Sequence, residues 1–533
     1  MDCNSTNLSF GQTGYFSKII IDYLNQSPSL RPFYTHPVSP EGIAAAIQAR
    51  QSAQPDRHLL VKELQEQYKG VETAEYVSNN IQSLLQPNTF TITTAHQPAI
   101  FTGNLYFIYK IVHVIKLADR LKKEHPGNHF VPVFWMGSED ADLDELGHVY
   151  LGGEKLVWET KQTGAVGRMN TKGLEKLIHR IEGELSVQPF GKELIQLLRN
   201  CYLRSSDIQT ATFKLINTLF AEYGLVVIMP DNANLKRVMA PVFRDDLLQH
   251  TPAGVVNKTI EQLTQQEHKV QAHPREINLF YLKDNVRELI ALNGDKYEVR
   301  NTTLSFSREE ILAELEAHPE RFSPNVILRG LYQETVLPNI AFIGGGGETA
   351  YWLELKDLFT HYSTPFPVLI VRNSFLIIEN KWQEKIRRLG LNAEDLFQSE
   401  QQLLTALVSR HRNGELKLKN ELDAAIRVYD LLKDKAANID RSLLQHVEAL
   451  QARTLKPLQE LEKKMLRAEK RKYEAEQRQI QTIRQALFPR NGLQERVENF
   501  MPWYAGYGKE FIHMVYNHSL TLEQAFTVIQ FAN

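Results

Sequence analysis

Apolar and polar positions follow two regimes along the chain. Between residues 89 and 375, five short runs read as strands of a parallel sheet. Phe90–Thr94 is a β-favouring run lying between Pro87 and Pro98. His129–Met136, HFVPVFWM, is almost continuously apolar, as a strand covered on both faces is. Gly224–Met229, Ile340–Ile343 and Phe366–Arg372 complete the set. Past Gly103, Leu105, Ile108, Val112 and Ile115 recur at helical spacing. Asn104 is placed as the N-cap of that helix, and Tyr106, Lys110 and His113 fall on its other side. The fourth strand repeats the layout, with Gly344–Gly347 as a tight loop and a helix over Glu348–Leu355.

Ahead of the first strand, Pro40–Ala53, Arg57–Gln67 and Thr73–Leu85 read as helices. Two segments depart from the α/β pattern. Lys155–Tyr223 carries the loop Gly164–Arg168 and helices near Thr171–Leu185, Lys192–Leu203 and Asp207–Tyr223. Met239–His318 carries a helix, a hairpin turning at Asn293-Gly294 and a helix opened by the capping box Ser307…Glu310. Beyond Phe375 helix takes over: Leu422, Ile426, Tyr429, Leu432, Ala436, Ile439 and Leu443 alternate spacings of three and four, as do Leu458, Leu461, Met465 and Ala468. That is a coiled-coil signature, with Pro457 expected to break or kink it. The fold class is therefore α/β: a parallel-sheet core over 1–155, 224–238 and 321–375, a helical insertion over 156–223, an α+β insertion over 239–320, a helical arm over 376–490, and C-terminal helices over 491–533 that pack back on the core.

Composition narrows the function classes. A chain of 533 residues with 61 Lys and Arg against 63 Asp and Glu has no net basic character, so nucleic acid is not an expected partner. No apolar run reaches the length of a membrane span; Phe366–Ile378 is interrupted by Arg372 and Asn373. The first residues lack a secretory pattern, and Cys3 and Cys201 have no metal-binding spacing, so neither a disulfide framework nor a zinc site is expected. A soluble, cytoplasmic protein is the expectation.

Three polar loops carry the candidate chemistry. The loop with His96, Gln97 and Gly103 leads from a strand into a helix, where free N–H groups and the helix dipole favour an anion; a core βα unit without ligand fits the same layout. Glu139, Asp140, Asp142, Asp144 and Glu145 put five carboxylates into seven residues at a strand's C-terminal end, where open α/β sheets bind ligands. Such carboxylates hold Mg²⁺, accept from an ammonium, act as general base, or enrich a helix N-terminus. Gly344–Gly347 permits close backbone approach but is neither a dinucleotide fingerprint nor a Walker A loop.

The stretches TTAHQPAIFTGNLYFIYK, VFWMGSEDADLDELGHVYL, FSPNVILRGLYQ, IGGGGETAYW and NGLQERVENF occur in this order over most of the chain. Together they resemble the bacillithiol biosynthesis cysteine-adding enzymes. The resemblance implies a Rossmann-like core interrupted by two connecting segments, a C-terminal coiled coil, and a reaction joining cysteine to glucosaminyl-malate by an amide bond. Ala95-His96-Gln97 stands where Gly-Gln-Gln is usual in that family, and Asn104 and Gly346 each replace a proline. The first loop is also similar to that of nucleotidylyl-transferring Rossmann enzymes, which implies ATP activation of the cysteine carboxyl, as an adenylate or an acyl phosphate. On this reading His96, Glu139, Asp140 and Asp142 are the catalytic candidates, the last three also as possible Mg²⁺ ligands. Gln97, Gly103, Asn104, Lys110, Gly344, Gly345, Gly346, Gly347 and Glu348 are assigned to nucleotide and phosphate. Tyr106, Ser138, Arg168, Asn325, Arg329, Gln333, Tyr351 and Trp352 are assigned to substrate, with Arg168 and Arg329 clamping malate carboxylates. A homodimer through the coiled coil is expected. Another nucleotide-dependent transferase on the same core and a ligand-binding coiled-coil scaffold are the alternatives.

Overall fold

The structure, a computed structural model, describes residues 2–411 and 418–532. Its centre is a parallel sheet of five strands: β1 (Thr89–His96), β2 (His129–Met136), β3 (Val226–Ile228), β4 (Asn339–Gly344) and β5 (Val368–Val371), in the order β5-β4-β1-β2-β3. All five lie where continuous apolar or β-branched runs placed them. The sheet is buried on both faces: Phe90, Ile92, Phe130, Ile340, Ile343, Val368 and Ile370 pack with Val114, Leu117 and Leu121. Each such side chain contributes about 1.5–3 kcal/mol on burial.

The strand order fixes where a ligand fits. The chain leaves β1 towards β2 on one side and returns as β4 on the other, so the crevice beyond the C-terminal ends of β1 and β4 is a topological switch point. After β1 comes helix α1 (Tyr106–Glu124), and after β4 comes helix α3 (Gly346–Leu353); helix α2 (Val326–Val336) precedes β4. The first of these departs from expectation. Leu105, not Asn104, occupies the N-cap, with no side-chain cap, and the supposed polar face of α1 is buried too: Lys110 is 2% exposed and His113 0%. His113 is satisfied internally, its Nε2 2.8 Å from the Thr521 carbonyl and its Nδ1 accepting from the Asn373 N–H at 3.1 Å.

The insertions carry the expected hairpin and helices. Lys296–Val299 pairs with Val286–Asn293 around Asn293-Gly294, and Ser307 and Glu310 form the capping box. Unforeseen are a two-stranded hairpin, His148–Leu151 with Glu154–Val157, and a five-stranded antiparallel sheet that ends in Phe322–Pro324 and feeds α2. Short strands of mixed polarity, such as HVYL and EKLV, lack the continuous apolar signal that marked the core strands.

The chain forms two compact units, Met1–Leu376 with Gly492–Ile529, and Ile377–Asn491 with Gln530–Asn533. In the first, Asn499 donates from its side-chain amide to the Phe101 carbonyl at 2.9 Å, and Tyr516 to Asp119 at 2.8 Å. The second contains helices α4 (Lys419–Ile439), α5 (Leu444–Lys470) and α6 (Glu474–Leu487). Helix α5 runs through Pro457, and the interruption falls instead at Arg471–Tyr473. The ring of Pro457 is accommodated without ending the helix. Among the described residues no helix is long and apolar enough to cross a membrane.

Candidate active site

At the switch point lies a cleft of about 410 Å³. Its β1 wall is made by His96 and Gln97, its α1 wall by Tyr106 and Lys110, and its α3 wall by Gly345, Gly346, Gly347, Glu348 and Tyr351. Asp140 and Glu145 enter from the acidic loop, Arg329 from α2, Arg372 from the end of β5, and Arg496 from the C-terminal segment.

His96 ends β1 and turns its ring towards α1. Its Nδ1 lies 2.9 Å from the Gln97 carbonyl and therefore carries the proton; Nε2 then accepts from the Tyr106 hydroxyl at 3.2 Å. Burial, reinforced by Lys110, pushes the His96 pKa down to about 4, so the ring is neutral at pH 7. In this state His96 offers a ligand no N–H, although both it and Tyr106 line the cleft. Burial raises the Tyr106 pKa to about 12, so the phenol keeps its proton.

Lys110 pairs with Glu348 and donates to the Ala95 carbonyl at 2.9 Å. Burial alone would raise the Glu348 carboxyl, but Lys110 and the Gly345 N–H, 2.8 Å away, hold it below the usual range. The four glycines differ in purpose. Gly344 ends β4, and a Cβ there would meet a Phe342 ring carbon at 2.9 Å, whereas one at Gly347 would meet nothing within 4 Å. None of the four has a positive φ, so the run serves close approach rather than an unusual backbone.

The acidic loop separates into three fates. Asp140 faces the cleft, accepting from Gln97 Nε2 at 3.2 Å with Arg329 at 3.6 Å. Burial would raise its pKa, but Arg329 and Arg287 hold it below the ordinary carboxylate value. Glu139 turns away to pair with the fully buried Lys236. Asp142 caps the short helix Leu143–Leu146, accepting the Glu145 N–H at 2.9 Å. Among the described residues no three His, Cys, Asp or Glu side chains are grouped to hold a metal ion, so the expected Mg²⁺ cage of Glu139, Asp140 and Asp142 is not formed. Each carboxylate is committed to a different partner.

Several other expected site residues lie outside the cleft. Arg168 is held bidentately by Asp231 at 2.6 and 2.7 Å. Ser138 is buried against Gly167, whose N–H donates to its carbonyl at 3.0 Å. Asn325 caps α2, Gln333 donates to Glu334 at 2.9 Å within the core, and Trp352 stacks on Phe342 with ring centroids 4.4 Å apart. Gly103 is buried, and the Asn104 carbonyl accepts from Phe107. Conversely, Glu145, read only as part of the acidic cluster, lines the cleft, and Arg372 and Arg496 were not foreseen. Arg372 is only 3% exposed; it donates to Glu495 at 2.7 Å, lies over the Tyr106 ring at 4.9 Å, and keeps a buried Nε–H without a hydrogen-bond partner among the described residues. A charge at the end of an apolar run was its only sequence signal.

Residues 1–373 match the profile described as the bacillithiol biosynthesis BshC N-terminal Rossmann-like domain, and residues 375–531 that of the BshC C-terminal coiled-coil domain. The chain belongs to the BshC family. A BshC relative from Flavobacterium johnsoniae is 40% identical over 98% of this chain and 99% of its own length. Relatives from Flavobacterium psychrophilum and Cytophaga hutchinsonii are 38% identical over 98% and 40% identical over 91% of this chain, covering 99% and 91% of their own lengths. All three bear the name "Putative cysteine ligase BshC". The BshC profiles meet just after Arg372 and leave Glu495 and Arg496 on the coiled-coil side, although both belong to the compact unit that holds the cleft.

Proposed function

We propose that the protein is an amide-forming ligase of bacillithiol biosynthesis that uses ATP to activate the carboxyl group of L-cysteine and joins it to the amine of glucosaminyl-malate. The observation that carries this reading is the cleft itself: in a BshC-family chain, one cavity at the switch point combines anion-binding groups with a carboxylate base. A free carboxylate does not acylate an amine, and ATP supplies the activation by making one carboxyl oxygen part of a leaving group.

The residues present fit a triphosphate. The α3 wall at Gly346 and Gly347 is bare backbone at a helix N-terminus, where first-turn N–H groups have no intrahelical partner. The Arg372 Nε–H, without a partner among the described residues, adds a further donor. Mg²⁺ accompanying the phosphates would be carried by them, with Asp140 the carboxylate at hand. Asp140, kept ionised by its arginines, takes the proton released as the sugar amine attacks; Arg329 fits a malate carboxylate. Such a reaction belongs in the cytoplasm, where its substrates are.

The test is ATP consumption by the purified chain with each substrate singly and together. Consumption that requires both L-cysteine and glucosaminyl-malate, with the amide product seen by mass, is the expected result. No consumption with the pair, or consumption indifferent to the amine, overturns the reading.

A further inference from the structure

Pairing the charges that face the cleft leaves one of each sign over. Lys110 is matched by Glu348, Arg372 by Glu495, and Arg329 by Asp140. Arg496 and Glu145 line the same cleft, and neither side chain has an ion pair or hydrogen bond among the described residues. Each is nevertheless held in place. The Glu495 carboxylate accepts from Arg372 at 2.7 Å and from the Phe375 N–H at 3.2 Å, while the Glu498 carbonyl accepts from the Leu105 N–H at 2.6 Å. Arg496 therefore sits between two fixed points. In the acidic loop, Asp142 caps the turn that presents Glu145. Tyr106 lies in the field of both, Glu145 raising its pKa and Arg496 lowering it. Burial raises the Glu145 carboxyl and lowers the Arg496 guanidinium, so each charged form stands to gain from a countercharge.

We infer that Arg496 and Glu145 form a subsite for a zwitterionic substrate, with its carboxylate on the Arg496 fork, its ammonium on Glu145, and Tyr106 between them. The inference rests on the reading of the cleft as the ligation site. Two substrates of that reaction carry this chemistry, L-cysteine and glucosaminyl-malate, and a thiol without both charges does not.

Arg496→Gln and Glu145→Gln remove one charge each from surface-exposed residues whose side chains make no ion pair or hydrogen bond among the described residues, so both variants should melt at the wild-type temperature. Steady-state kinetics of the full-length chain would then give KM for each substrate separately. The expected result is that both variants raise KM for the same substrate by about tenfold or more, with kcat changed far less. A shared rise for cysteine makes it the amino-acid subsite, and a shared rise for glucosaminyl-malate makes it the acceptor subsite. Unchanged KM values, or variants that each affect a different substrate, overturn the inference. If the wild-type chain shows no turnover, the function reading fails by itself and the subsite is still tested by calorimetry with L-cysteine and glucosaminyl-malate as probes. Binding of one probe by the wild type, lost in both variants, supports the subsite; no binding by the wild type, or binding kept in either variant, overturns it.

Discussion

Asp140 and Asp142 stand two residues apart in one acidic loop, and only the first reaches the cleft. Asp140 lies beside Gln97 and Arg329, whereas Asp142 spends its carboxylate on the Glu145 N–H. Asparagine keeps the shape of both. At position 142 it is also as good an N-cap as aspartate, so Asp142→Asn should shift stability by only a few tenths of a kcal/mol and leave turnover near that of the wild type. Asp140→Asn removes the charge that takes the amine proton, and kcat should fall by about 10²–10⁴ while the melting temperature barely moves. Turnover measured beside melting separates the two; equal losses of activity would mean that the loop acts as one electrostatic unit. His96 belongs to this scale as well. With a pKa near 4 its ring stays neutral through the physiological range, so it orients Tyr106 rather than titrating against the substrate.

At the scale of elements, the run Gly344–Gly347 offers a sharper probe than any single charge. Gly347→Ala adds a Cβ into open space on the first turn of α3, at a φ that alanine adopts freely. Alanine in a helix is worth about 0.5–1 kcal/mol over glycine, so this variant should melt higher than the wild type. The same methyl group intrudes on the wall against which phosphates would lie, and turnover should drop by roughly 10²-fold. Gly344→Ala should do the opposite to stability, because the new atom meets Phe342 and Glu348 and overpacks the end of β4 by about 1–3 kcal/mol. A Gly347→Ala enzyme of full activity would remove α3 from the binding surface. The sequence made these elements legible because strands buried on both faces are written as unbroken apolar runs, and the glycine loop follows one of them directly. It left α1 half legible: the stripe Leu105, Ile108, Val112 and Ile115 was plain, but Lys110 and His113 fell on the other side with no sign that they are buried. Nothing local reveals that Glu348 and Thr521, more than 200 residues away, satisfy them. Arginines were hardest of all. Arg168 and Arg372 each follow a short apolar or glycine-containing stretch, and only the strand order and Asp231 decide that the first is locked away and the second lines the cleft.

At the scale of the whole molecule, the long helices leave surface to be covered. Helices α4 and α5 pair within the chain, with the Tyr429 hydroxyl 2.6 Å from Thr454 Oγ1, yet neither buries a single side chain fully. Val428 is 56% exposed and Leu431 64%, an apolar stripe of the kind that marks an interface. The intact chain should therefore sediment as a dimer at micromolar concentration, and Val428→Glu with Leu431→Glu should shift it to monomer; a monomeric wild type would dismiss the arm as a self-association surface. The Asn499 clamp on the loop before α1 has a consequence for how the protein is made. Phe101 and Thr102 hold positive φ values that cost non-glycine residues about 1–3 kcal/mol each, and Asn499, 398 residues downstream of Phe101, fixes the Phe101 carbonyl. At about 5–20 residues per second on the ribosome, that side chain emerges roughly 20–80 s after the loop does. Until then the nascent chain lacks the contact that fixes the path between β1 and α1. A polypeptide that stops short of Arg496 and Asn499 is thus left without a finished site, and catalytic competence arrives only once that segment is made.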